Sequence, residues 1–109
     1  MNTFEDREQA FENKFKYDQD ILFKINSRRA RLIGLWAAER LGIAADKAEA
    51  YAQEVVSADL DEPGHADIIR KLQADFKQKG VEISDHRIAK ELERHWEIAR
   101  KQVTSSLAV

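Results

Sequence analysis

The apolar positions of this chain recur at intervals of three and four residues, which is the spacing of one face of an α-helix. Gly42, the pair Pro63-Gly64, and Gly80 interrupt the pattern and divide it into four stretches. The four stretches run from about Thr3 to Leu41, from Ala45 to Leu60, from His65 to Lys79, and from Ser84 onward. Amphipathic helices joined by such short connections predict an all-α fold, an antiparallel four-helix bundle.

Several residues have side chains or backbones suited to helix ends. Thr3 and Ser84 carry hydroxyl groups that can cap a first helical turn. Gly80 follows the third stretch, where a left-handed backbone commonly ends a helix. We therefore expect an N-terminal segment over residues 1–18, a bundle over residues 19–104, and a frayed tail over residues 105–109.

The first stretch is longer than its neighbours can cover. Unbroken, it would extend about 58 Å at 1.5 Å per residue, whereas the later helices reach about 23 to 30 Å. Its second half carries a broad apolar face, while its first half carries only a stripe of three phenylalanines, namely Phe4, Phe11 and Phe15. We expect this amphipathic N-terminal segment to protrude or to be mobile, with the stripe free for a partner. The alternative, that the stripe packs on the bundle as a fifth segment, is nearly as well supported by the pattern.

Composition and charge narrow the function classes. Apolar residues make up 43% and charged residues 35% of the 109 residues, which is typical of one globular domain. No cysteine occurs, so disulfides and cysteine metal sites are excluded. The net charge of −2 argues against nucleic-acid binding, since phosphate contacts need a basic surface. The polar, acidic start and the absence of a long apolar run predict a cytoplasmic protein without direct membrane insertion.

The sequence offers little support for catalysis, a cofactor or a metal site. The three histidines, His65, His86 and His95, stand in unrelated contexts, and we expect them on the surface. A calcium loop beginning at Asp59 fails because Arg70 would occupy the position that requires a bidentate glutamate. We therefore expect a protein that is not an enzyme.

The basic run at Arg28, Arg29 and Arg31 is the one candidate anion site. On a helix these side chains point in different directions, and we expect them to form a solvated face. The alternative function that they leave open is a helical module that binds adenine nucleotide weakly through these arginines.

Several motifs resemble one family. They are "RLIGLWAAERLG", "AEAYAQEVVSADLDEPG" and "IIRKLQADF", in this order after "TFEDREQAFENKF". Over nearly the whole chain the sequence is similar to the ATPase inhibitor subunit zeta of the alphaproteobacterial F-type ATP synthase. The resemblance implies a four-helix bundle whose N-terminal segment, here Asn2 to about Lys16, enters the catalytic interface of the soluble head and blocks rotation in the direction of hydrolysis. It also implies a location peripheral to the inner membrane, through the ATP synthase.

The resemblance assigns partner binding to the same segment that the length argument leaves uncovered. Three phenylalanines would be apolar anchors, and three charged residues would set the register through ion pairs. The expected partner-binding residues are Phe4, Arg7, Glu8, Phe11, Lys14 and Phe15.

Overall fold

The computed structural model describes residues 18–61 and 65–107, and within these ranges it contains α-helices and no β-strand. The helices are α1 (Gln19–Arg40), α2 (Ala45–Asp61), α3 (Ala66–Gln78) and α4 (Asp85–Leu107). Helix α1 packs against α2 and α4, and α3 contacts both of those helices. The all-α fold is thus confirmed. Of the expected N-terminal segment, residues 1–17 lie outside the described residues.

Helix α1 begins at Gln19 because Asp18 caps it. The Asp18 carboxylate accepts a hydrogen bond from the Ile21 backbone N–H at 2.9 Å, and the ψ angle of Asp18 is 169°, an extended value. An aspartate at this position satisfies a backbone N–H that the first turn leaves unpaired. The first described helix therefore covers the second half of the Thr3–Leu41 stretch, and the first half lies outside the described residues.

The other helix ends follow the sequence more closely. Gly80 has a φ of 73°, and the Ser84 hydroxyl accepts a hydrogen bond from the Arg87 backbone N–H at 3.0 Å. At the C-terminal end, α4 continues through Leu107, past Thr104, where the expected bundle ends. Thr104 is buried, and its hydroxyl donates a hydrogen bond to the Arg100 carbonyl oxygen, one turn earlier in α4, at 2.8 Å. This bond stabilises the last turns of α4.

The hydrophobic core draws buried side chains from all four helices. The largest fully buried ones are Ile25, Ile33, Val55, Ile68, Leu72, Phe76, Ile88 and Leu92. Trp36 and Trp96 are only partly buried, at the edge of the core. A smaller cluster at the start of α1 joins Ile21 and Ile25 to Ala99 and Val103 of α4.

Helices α1 and α2 approach each other at Gly34. A Cβ atom at this position would lie 2.8 Å from the Cα atom of Ala52 and 3.3 Å from the Cβ atom of Val55. Only the absence of a side chain at Gly34 allows the two helices to pack this closely. A glycine inside a helix is about 1 kcal/mol less favourable than alanine. The close packing of α1 against α2, and not helix propensity, therefore explains the glycine at this position.

A buried tyrosine joins α2 to α3. The Tyr51 hydroxyl donates to Asp75 at 2.6 Å, and the Lys71 ammonium group donates to the same carboxylate at 3.1 Å. The ammonium group also lies 5.2 Å from the centroid of the Tyr51 ring. Burial, together with this hydrogen bond to a negative acceptor, raises the pKa of Tyr51.

We expect the raised pKa of Tyr51 to make the protein less stable in alkali. Neutral Tyr51 contributes to the free energy of unfolding. This stabilisation is fully present below the ordinary tyrosine pKa of about 10, and it is lost as the pH rises toward the higher pKa of the folded state. Urea unfolding at a series of alkaline pH values measures it, and Tyr51→Phe is expected to flatten the decline. An unchanged decline in Tyr51→Phe would contradict the assignment.

Candidate partner-binding surface

A groove of about 830 Å³ opens where the first half of α1 meets α2 and the last turns of α4. We call it the basic groove. The side chains that define its character are Phe23, Lys24, Arg28, Arg31, Val56 and Leu107. Three of them are basic, and the described residues that line the groove include no carboxylate.

The cations of the basic groove differ in how far they are neutralised. Arg31 makes two hydrogen bonds to the Glu49 carboxylate, at 2.8 and 2.9 Å, and this contact lowers the pKa of Glu49. Arg28 donates only to the neutral Gln102 side chain, at 3.5 Å. Among the described residues no carboxylate lies within ion-pair distance of Lys24 or Arg28. Within the described ranges, these two exposed positive charges therefore have no carboxylate that neutralises them.

The apolar part of the basic groove is unusually exposed. Phe23 is 57% exposed and Leu107 is 36% exposed, and Leu22, the neighbour of Phe23 on α1, is also 36% exposed. Phe23 is a groove residue that the apolar pattern of the sequence does not single out. The helical spacing carries a signal for it, because Phe23 stands two residues from Ile25 and so lies about 200° around the helix from it.

The structure separates the three arginines of the candidate anion site. Arg28 and Arg31 line the basic groove, whereas Arg29 is 8% exposed and lines a different cavity of about 440 Å³ with His65 and Trp96. Its Nε atom has no hydrogen-bond partner in the described part of the chain. Burial lowers the pKa of Arg29, and the charge of Asp59 partly offsets this. The expected solvated face is therefore wrong for Arg29. The three arginines do not converge on a single anion.

The histidines also divide by environment. His65 and His86 are exposed as expected, but His95 is buried and lies near Trp36, with ring centroids 6.4 Å apart. Its Nδ1 atom lies 2.7 Å from the Glu91 carbonyl oxygen. Since a carbonyl oxygen only accepts, Nδ1 carries the proton. His95 is thus a packing residue of α4 and corrects the expectation of surface histidines.

The structure does not test the predicted partner-binding residues of the N-terminal segment. Phe4, Arg7, Glu8, Phe11, Lys14 and Phe15 all lie outside the described residues. Their roles remain predictions. Over the described ranges no cluster of His, Cys, Asp and Glu could hold a metal ion, and no helix has the length and apolarity to cross a membrane.

Grooves that combine exposed apolar and charged side chains are surfaces to which helical or extended segments of partner proteins bind, and the basic groove has this character. The profile of the ATPase inhibitor subunit zeta family matches residues 1–102, so the chain belongs to this family. The resemblance drawn from the sequence motifs is thereby confirmed. A comparison with curated proteins gives no match.

Membership of this family fixes the general role of the chain. It is an ATPase inhibitor of the ATP synthase, which makes it a regulatory protein and not a catalyst, as the sequence analysis expects. An inhibitor subunit binds the ATP synthase.

Proposed function

We propose that the chain inhibits ATP hydrolysis by inserting residues 2–16 as a helix into the catalytic interface of the soluble head of the F-type ATP synthase. The inserted helix blocks rotation of the enzyme in the direction of hydrolysis. One observation carries the proposal: the family profile begins at residue 1 and therefore includes this whole segment.

The three phenylalanines of the segment have the spacing of helix-in-groove anchors. Phe4, Phe11 and Phe15 are seven and four residues apart, so they share one face of a helix. Each contributes about 1 to 3 kcal/mol when fully buried in the partner. Arg7, Glu8 and Lys14 set the register through charge pairs, which affect the rate and the specificity of association more than its affinity.

The start of α1 supports a division of the chain into a bundle and a separate inhibitory segment. Asp18 caps α1 through its own side chain, and the buried side chains that the structure describes form a core shared by α1 to α4. Because α1 begins only after Asp18, the proposed inhibitory helix need not continue the axis of α1. The segment can then enter the interface while the bundle stays outside.

A photo-crosslinking experiment tests the insertion directly. With a photoreactive phenylalanine analogue in place of Phe11, we expect crosslinks to the subunits that form the catalytic interface. The matched control carries the analogue in place of Glu39, which is exposed and lies about 30 Å from the start of α1 along the helix. Crosslinks from position 11 only to subunits away from the catalytic interface would contradict the proposed insertion.

A further inference from the structure

We infer that the basic groove is a second docking surface for the ATP synthase, and that it receives an acidic segment of that enzyme with a protruding apolar side chain. The inference rests on the proposed function and extends it from the N-terminal segment to the bundle. Three features of the described residues carry it: the position of the groove, its exposed apolar side chains, and its charge.

The position of the groove brings it near the partner. The α1 side chains that line it begin at Phe23, in the second turn after the Asp18 cap. Phe23 follows the last residue of the proposed inhibitory segment by seven positions, which is about 25 Å even for a fully extended chain. A bound segment therefore holds the groove close to the enzyme surface around the insertion site.

The apolar side chains of the groove are of the kind that form interface anchors. Phe23 is more exposed than any other large hydrophobic side chain in the described part of the chain, and Leu107 stands across the groove from α1. Aromatic residues are enriched at interface positions that contribute most to binding. Between Phe23, Val56 and Leu107 the groove offers an apolar surface that a single side chain of the partner can cover.

The charge of the groove selects an acidic occupant. Lys24 and Arg28 have no carboxylate partner among the described residues, although the chain as a whole carries a net charge of −2. The ion pair of Arg31 with Glu49 is solvent-exposed on both sides and can exchange Glu49 for a carboxylate of the partner. A second copy of this chain is a poor occupant, because a two-fold contact would set Lys24 and Arg28 against the same cations.

Charge reversal in the full-length chain tests the groove. The variant Lys24→Glu/Arg28→Glu is expected to slow association with purified ATP synthase about 10-fold at low salt and to weaken the salt dependence of the rate. Phe23→Ala is expected to raise the concentration for half-inhibition of ATP hydrolysis about 10-fold or more. The matched control, Lys77→Glu/Lys79→Glu, makes the same charge change at two exposed positions at the end of α3, outside the basic groove, and is expected to behave as the unmodified chain.

The outcomes separate this inference from the proposed function. Thermal unfolding first establishes that the variants fold, which their exposed positions favour. If the unmodified chain inhibits and both groove variants match it, the inference is wrong and the proposed function stands. If the unmodified chain neither binds nor inhibits, both are wrong. Competition by ADP or ATP for the groove at micromolar concentration would make a nucleotide the occupant and overturn the inference.

Discussion

Deletion of residues 2–16 is expected to abolish inhibition of ATP hydrolysis while α1 to α4 remain folded. The deletion removes three apolar anchors worth about 1 to 3 kcal/mol each, so the concentration for half-inhibition is expected to rise at least 100-fold or so. The cap at Asp18 and the buried side chains of the four helices are retained. An inhibition assay measures the loss of inhibition, and thermal unfolding followed by circular dichroism shows whether the four helices remain folded.

A second variant separates the phenylalanine stripe from the rest of the segment. Alanine in place of Phe4, Phe11 and Phe15 in the full-length chain is expected to reproduce most of the loss, because alanine keeps the helix propensity and the charges of the segment. Cooperative unfolding of the deleted chain at a much lower temperature would show that the stripe belongs to the core, as in the alternative interpretation of the sequence.

Substitution Gly34→Leu is expected to lower the free energy of unfolding by about 3 kcal/mol, at the upper end of what overpacking costs. Even the first atom of the new side chain would lie 2.8 Å from the backbone of Ala52, so α1 and α2 must separate. This separation opens the core around Ile33 and Val55, which are fully buried next to the contact. Urea denaturation measures the change.

The matched control for Gly34→Leu is Ala74→Leu. Ala74 is exposed on α3, and substitutions at such positions usually change the free energy of unfolding by no more than about 0.5 kcal/mol. A Gly34→Leu protein as stable as Ala74→Leu would mean that α1 and α2 do not pack as closely as described.

The helices could be predicted from the sequence because glycine and proline mark most of their boundaries. Gly80 and Ser84 end α3 and begin α4 by local backbone and side-chain chemistry, which needs no knowledge of the fold. The start of α1 is set in the same local way, because the Asp18 carboxylate accepts a hydrogen bond from the Ile21 backbone N–H.

The basic groove could not be predicted, because it depends on how three helices meet. Phe23, Val56 and Leu107 are far apart in the sequence and converge only in the fold. The burial of Arg29 and His95 has the same origin, since each faces a neighbouring helix that the helical pattern alone does not locate. In contrast, the phenylalanine stripe was found from spacing alone, and its binding role remains a prediction.

The most direct test of the central claim is the rate of ATP hydrolysis by purified ATP synthase from the same source, measured with increasing amounts of the full-length chain. The account predicts that hydrolysis falls to a low residual rate at saturation, and that the chain without residues 2–16 leaves the rate unchanged. Hydrolysis that continues at full rate with the full-length chain would contradict the account. Equal inhibition by both chains would place the inhibitory contact in the bundle and not in the N-terminal segment.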